Sequence, residues 1–125
     1  MTTIKAYTDL EQSKTLAKIL PLESADMYYE EVCNLPKAIV GNYILHIQCM
    51  EDKDYKKLSK PVLSPAWSLA SLLDVLPEIQ GGKPIIALDD NYITYPHMSD
   101  LHTKADNLVD ACYDMIIKLN ELNLL

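Results

Sequence analysis

The stretch SPAWSLASLLDVLP, residues 64–77, carries the densest pattern in the chain. Ser64 is a favourable N-cap, Pro65 suits the first position of a helix, and Pro77 stops a helix. Between the two prolines, apolar side chains recur at helical spacing, at Ala66, Leu69, Ala70, Leu73 and Leu76. The stretch predicts a helix over 65–76 whose broad apolar face must be covered by a sheet or by other helices.

Trp67, the single tryptophan, falls in the first turn of this predicted helix. Its ring suits two roles. It can fill the core and fix the helix to a sheet, or it can serve as an aromatic anchor for a ligand or a partner. We favour the core role and keep the anchor role as the alternative.

The remaining segments predict further helices and strands. Thr8 and Glu11 form a T-x-x-E capping box, so a helix is expected from about Asp9 until Pro21 ends it. Aromatic and β-branched runs predict strands at 27–33, at 43–50, and on both sides of a turn at 89–91. A last helix is predicted by the apolar period of Leu108, Cys112, Met115, Ile116, Leu119 and Leu122.

The element order α-β-β-α-β-β-α predicts an α+β fold. We expect one antiparallel sheet of about four strands, with three helices on one face. The 125 residues suit a single domain, 1–125. The end of the chain, ELNLL, either docks onto the core or forms a homodimer contact; we favour docking, because Leu122 continues the apolar period of the last helix.

The composition excludes several classes of protein. No apolar run reaches membrane-spanning length, and the amino terminus has no signal-peptide core, so a soluble cytoplasmic protein with no membrane contact is expected. Cys33, Cys49 and Cys112 then predict buried thiols. The net charge is −7 and all basic side chains are lysines, so nucleic-acid binding is not expected. The lysine-rich segment 53–60 is interpreted as a solvated linker.

Motifs for catalysis are missing from the sequence. It has no G-x-S-x-G elbow, no C-x-x-C pair and no complete phosphate-binding loop, so we favour a non-enzyme with no catalytic residues, no cofactor and no metal. Asp106, Asp110 and Asp114 line one row of the last helix. A cation site is the alternative there to helix-dipole stabilisation and an Asp114–Lys118 pair. His97 and His102, in a predicted strand-to-helix connection, are interpreted as solvated; a loop metal site or a proton relay is the alternative.

Three stretches carry a resemblance: EQSKTLAKILPLESADMYY, PAWSLASLLDVLP and ADNLVDACYDMIIKLNELNLL. They resemble segments of a family of small uncharacterised proteins from gut bacteria and their phages or mobile elements. Members of that family carry a PxWSLAxLLxxLP segment in mid-chain and a DNxxDACxxMIxKLxEL segment at the end. The resemblance implies a compact fold and a gene that travels with a phage or mobile element. It implies no chemistry.

These observations favour a non-catalytic interaction protein, an accessory factor of a phage or mobile element that binds another protein or a second copy of itself. The weak contact candidates are Trp67, Tyr28, Tyr29, Tyr92, Tyr95, His97 and His102. The four tyrosines are expected to be exposed, since tyrosine is enriched at interfaces. The alternative is a small-ligand-binding protein or a small enzyme with a pocket near the 65–76 helix.

Overall fold

The structure is a computed structural model and describes residues 5–31, 43–47 and 63–125. Over these residues it contains three α-helices and six antiparallel strands, which confirms the α+β class. The helices are α1 (Leu10–Leu16), α2 (Leu69–Val75) and α3 (Leu108–Glu121). The strands are β1 (Met27–Glu31), β2 (Tyr43–Ile47), β3 (Leu63–Ala66), β4 (Ile85–Ala87), β5 (Tyr92–Tyr95) and β6 (Met98–Lys104).

The backbone packs into two compact units. Unit 1 consists of residues 5–8 and 68–125, and unit 2 of the described residues between 9 and 67. The sheet of unit 1 has the strand order β4-β5-β6, and that of unit 2 has the order β2-β1-β3. The expectation of one sheet of about four strands is therefore wrong: β1 and β2 pair with the unpredicted β3, β4 and β5 pair with the unpredicted β6, and the two sets form separate three-stranded sheets.

The amino-terminal residues of unit 1 lie beside the start of α2. Tyr7 forms an isolated antiparallel bridge with Ser68. The backbone N–H of Leu69 donates to the carbonyl oxygen of Ala6 over 2.9 Å. The Lys5 ammonium lies 2.8 Å from the Asp110 carboxylate of α3. These contacts attach the short segment 5–8 to unit 1.

Strand β3 corrects the prediction of a helix from Pro65 to Leu76. Leu63–Ala66 is extended and pairs with β1, with Pro65 opposite Tyr28. Within the described part of the sheet β3 is an edge strand, where the missing N–H of a proline is tolerated. The N-cap of the helix is the second serine of the stretch: the Ser68 hydroxyl accepts from the Ser71 backbone N–H over 3.2 Å.

Strand β6 occupies the segment interpreted as a connection to the last helix. It pairs with β5 through a register shift between Thr94 and Tyr95. Leu101 is buried, but His102 and Lys104 are exposed. A strand with so few apolar side chains has little of the alternation from which strands are recognised in a sequence.

The hairpin and the last helix agree with the sequence. A 3₁₀ turn at Leu88–Asp90 joins β4 to β5, and Asn91 closes it in the left-handed region at a φ of 50°. Helix α3 begins at the N-cap Asn107, whose Oδ1 accepts from the Asp110 backbone N–H over 2.8 Å. The predicted stripe is buried at Leu108, Cys112, Met115, Ile116 and Leu119. Leu122 is 52% exposed, so the expectation that it docks onto the core is wrong.

Helix α1 begins at the expected place through different residues. Asp9 is the N-cap, and its capping box is closed by Gln12 rather than by Thr8 with Glu11. The helix ends at Leu16, before Pro21. Of the three cysteines, Cys112 is buried, and burial raises the pKa of its thiol to about 12. Other predictions lie outside the described residues, namely Cys33, Cys49, the 53–60 segment and the carboxyl ends of the first two predicted strands.

Candidate interaction surface

The sheet of unit 1 has one face packed against α3. The Thr103 hydroxyl of β6 donates to the Ala111 carbonyl oxygen of α3 over 2.8 Å. Ile93 of β5 and Leu101 of β6 are buried. Alternate residues of a strand point to opposite faces, so the strand neighbours of Ile93 and Leu101, such as Tyr92, Thr94 and His102, point to the other face. We call that other face the outer face.

The outer face is laid out in two rows by the strand register. Ile85 of β4 pairs with Thr94 of β5, which pairs with His102 of β6. The second row is formed in the same way by Ala87, Tyr92 and Lys104. Ile85 is 55% exposed, and His102 and Lys104 are exposed as well.

Tyr92 and His102 are diagonal neighbours on the outer face. Their ring centroids are 6.0 Å apart and the rings are tilted by 31°. Tyr92 is half-buried and His102 is exposed. Of the sequence candidates, these two are brought together by β6, and they offer an aromatic surface with hydrogen-bonding groups on it.

Leu88 adds the most exposed large apolar side chain recorded in the described residues. It is 71% exposed and follows β4 directly, in the turn that also holds the exposed Asp89 and Asp90. Exposed apolar side chains beside aromatic and polar groups are typical of protein contact surfaces. The outer face and this turn form the candidate interaction surface.

Two of the sequence candidates belong to the core instead. Trp67 is fully buried, and its indole N–H donates to the Ser24 hydroxyl over 2.9 Å. Its burial agrees with a core residue, but Trp67 precedes the N-cap Ser68 and so does not lie in the first turn of the helix as predicted. Tyr95 is 2% exposed, so its predicted exposure is wrong. Its hydroxyl donates to the Pro77 carbonyl oxygen over 2.8 Å, and burial raises its pKa to about 12.

The other candidates lie apart from the outer face. Tyr28 and Tyr29 are neighbours in β1 of unit 2, both half-buried, and neighbours in a strand point to opposite faces. His97 is exposed in the turn between β5 and β6. The interpretation of His97 and His102 as a loop pair is corrected, because His102 lies within a paired strand.

The predicted aspartate row is only partly present, because Asp106 precedes the N-cap Asn107 and only Asp110 and Asp114 lie on α3. Asp110 accepts from Lys5 and from the Asn107 side-chain amide, over 2.8 and 2.9 Å. Lys118 reaches β6 rather than Asp114 and donates to the carbonyl oxygens of Asp100 and His102. Partial burial and the nearby Asp110 carboxylate raise the pKa of Asp114. Among the described residues, no cluster of three or more histidine, cysteine, aspartate or glutamate side chains is placed to hold a metal ion.

Sequence reasoning missed Ile85 and Leu88. The sequence did carry a signal, because residues 85–88 are four successive apolar residues, IIAL. A strand with one covered face buries only every second side chain, so some of these four must be exposed. Comparison with known proteins found no matching family model, no matching curated protein and no matching solved structure. None of the helices in the described ranges combines the length and apolar character that a membrane span requires.

Proposed function

We propose that the protein is a non-catalytic interaction protein, an accessory factor of a phage or mobile element, and that it binds a host or element protein through the outer face of unit 1. The resemblance of three segments to proteins of gut bacteria and their phages supports the genetic setting. The observation that carries the contact surface is the exposure of Ile85 and Leu88 beside the Tyr92–His102 pair.

The chemistry of the surface supports a protein partner. Ile85 and Leu88 would each transfer apolar area from water on binding, which is the main favourable term in protein association. Tyr92 contributes a rigid aromatic ring that loses little conformational entropy on binding. The net charge of −7 opposes nucleic-acid backbones and leaves protein as the favoured class of partner.

The test is an affinity pull-down from nuclease-treated host lysate, read by mass spectrometry. The bait is the full chain, either wild type or carrying Ile85→Lys or Leu88→Lys. We expect one stoichiometric protein with the wild-type bait and its loss with either substitution. Both positions are exposed, so circular dichroism should show that the variants remain folded.

The matched control is Leu125→Lys, which adds the same charge at another exposed leucine of unit 1. It should retain the partner. A partner lost with Leu125→Lys but kept with Ile85→Lys would move the contact to the carboxyl terminus. Failure of the folded wild-type bait to retain any protein would contradict the proposal.

A further inference from the structure

We propose that the edge of β4 that faces away from β5 pairs with the same edge of a second copy of this chain, about a two-fold axis at Ile86. The inference goes beyond the proposed function, because it concerns a backbone edge and a second copy rather than the outer face and another protein. It is carried by the register of β4, by the backbone groups at its two ends, and by the side chains along it.

The register determines which backbone groups of β4 face away from β5. The Ala105 N–H donates to the Asn91 carbonyl oxygen over 3.3 Å, so these two residues form a hydrogen-bonded pair beside β6. Such pairs alternate along a strand, so the next residue, Tyr92, turns its N–H and C=O toward its β4 partner Ala87. Ile86 therefore presents its N–H and C=O on the side away from β5. Within the described part of the sheet, β4 has a strand neighbour on one side only.

The backbone groups at the two ends of β4 complement each other in a pair centred on Ile86. An antiparallel two-fold axis there places Pro84 of each copy opposite Leu88 of the other. Pro84 has no N–H to donate, and the Leu88 carbonyl oxygen already accepts from the Asn91 N–H over 3.5 Å. The groups that remain, the Pro84 carbonyl oxygen and the Leu88 N–H, are an acceptor and a donor for each other. The two Ile86 residues exchange both of their hydrogen bonds, so donors match acceptors along the whole strand.

The side chains along β4 suit the same pair. Ile85, which is 55% exposed, lies opposite Ala87 of the other copy in a non-hydrogen-bonded pair, where side chains approach most closely. The half-buried Ile86 side chains meet across the axis on the opposite face. Lys83 and Asp89 are exposed and flank the strand, and the axis brings Lys83 of each copy beside Asp89 of the other. Opposite charges facing each other across two strands stabilise the pair.

The first test is sedimentation velocity of the full chain over a concentration series. A contact made by one short strand from each copy is small, so we expect the wild type to form a reversible dimer whose fraction rises with concentration. Lys83→Asp places aspartate beside Asp89 on both sides of the axis and should raise the dimer Kd by about tenfold or more. Adding Asp89→Lys to this variant restores opposite charges and should restore the dimer.

The matched control is Lys104→Asp, which makes the same charge change at an exposed lysine of β6, the strand at the other edge of the described sheet. It should leave the dimer Kd unchanged, and circular dichroism should show that all variants are folded. A wild-type chain that stays monomeric throughout the series would overturn the proposal. So would a Kd raised equally by Lys104→Asp and Lys83→Asp, or a double variant that dimerises as weakly as Lys83→Asp alone.

The second test locates the contact by amide hydrogen exchange of the wild type at low and high concentration. The Ile86 N–H should exchange more slowly as the dimer forms, because it gains an acceptor from the other copy. The Ala87 N–H, which faces β5 in both states, is the internal control. A dimer that leaves Ile86 exchange unchanged would have its contact elsewhere, which contradicts the proposal. Neither test uses the variants of the pull-down, so the two proposals can fail separately.

Discussion

Over the described residues each of the two sheets has three strands, but the two sheets are assembled differently. In unit 1, β4, β5 and β6 follow one another along the chain and pair in that order. In unit 2 the central strand is β1, and its neighbours β2 and β3 come later in the sequence. The first sheet is built from local turns. The second requires β1 to pair with a segment far along the chain, and no local motif specifies that pairing.

The two units can be compared through a buried aromatic side chain in each, Trp67 in unit 2 and Tyr95 in unit 1. Trp67 follows strand β3, and its indole N–H donates to the hydroxyl of Ser24 in the 3₁₀ turn before β1. Tyr95 ends β5 and bonds to the Pro77 carbonyl oxygen just after α2. Each hydrogen bond joins the end of a strand to a segment distant in sequence. The non-local sheet of unit 2 should depend more strongly on its aromatic, because fewer local contacts define it.

Trp67→Ala should produce the largest loss of stability. Truncating a fully buried indole removes its transfer free energy and leaves a cavity, at a cost of about 3–5 kcal/mol in the free energy of unfolding. Urea denaturation followed by circular dichroism measures it. Trp67→Phe keeps most of the ring and should cost clearly less. A loss below about 1 kcal/mol for Trp67→Ala would show that unit 2 does not depend on this residue.

Tyr95→Phe and Ser24→Ala should each cost about 1–2 kcal/mol. Tyr95→Phe removes the hydroxyl that donates to Pro77, and Ser24→Ala removes the hydroxyl that accepts from the Trp67 indole N–H. Both variants leave the aromatic ring in place. The same denaturation measurement applies. Thr94→Ser, at a half-buried position of the same strand as Tyr95, is a control with a small expected change. A neutral Tyr95→Phe would mean that water replaces the hydroxyl at Pro77.

Asn107→Ala should cost about 1 kcal/mol, because it removes the N-cap of α3. Asn107→Ser keeps an acceptor for the Asp110 N–H and should recover most of the loss. Ser68→Ala makes the matching change at α2. If Asn107→Ser and Asn107→Ala were equally unstable, the cap would not be the cause.

Alkaline pH should weaken unit 1, with no effect near neutrality. Tyr95 and Cys112 have pKa values raised by burial to about 12, from ordinary values of 10 and 9. At neutral pH both groups are protonated in the folded and unfolded states. Between about pH 9 and 12 the unfolded chain releases protons that the folded chain retains, so the free energy of unfolding falls. The decline should be shallower in Tyr95→Phe and in Cys112→Ala, and an unchanged slope in both would contradict the assignment.

The last prediction is that two spectroscopic probes of unfolding give the same urea midpoint. Trp67 fluorescence reports unit 2 alone, whereas far-UV circular dichroism reports the helices of both units, α1 in unit 2 and α2 and α3 in unit 1. The prediction of a single domain requires both signals to change at the same urea concentration. Two separate midpoints would show that the units unfold independently.

The sequence predicted what local chemistry determines. The long apolar period predicts α3, and the turn residues around Asn91 predict the hairpin turn, without reference to any distant segment. Both elements are present in the structure. Ser64 and Pro65 suit a helix start as well as an edge strand, so only pairing with β1 decides between them. Likewise, the sequence offers Tyr92 and His102 as separate contact candidates and does not indicate that their rings lie close together. Their proximity depends on the register of β6, which the shift at Thr94 and Tyr95 makes unreadable from the sequence.

The bridge between Tyr7 and Ser68 has a consequence for the architecture of the gene. The chain leaves unit 1 after Thr8 and returns to it at Ser68, and these two points are held side by side. Unit 2 is therefore an insert whose ends meet, a place where domain insertions are commonly tolerated. A linker of a few residues from Thr8 to Ser68 would close the chain of unit 1 without it. A different segment could be inserted at the same junction, so the two units need not share an evolutionary origin.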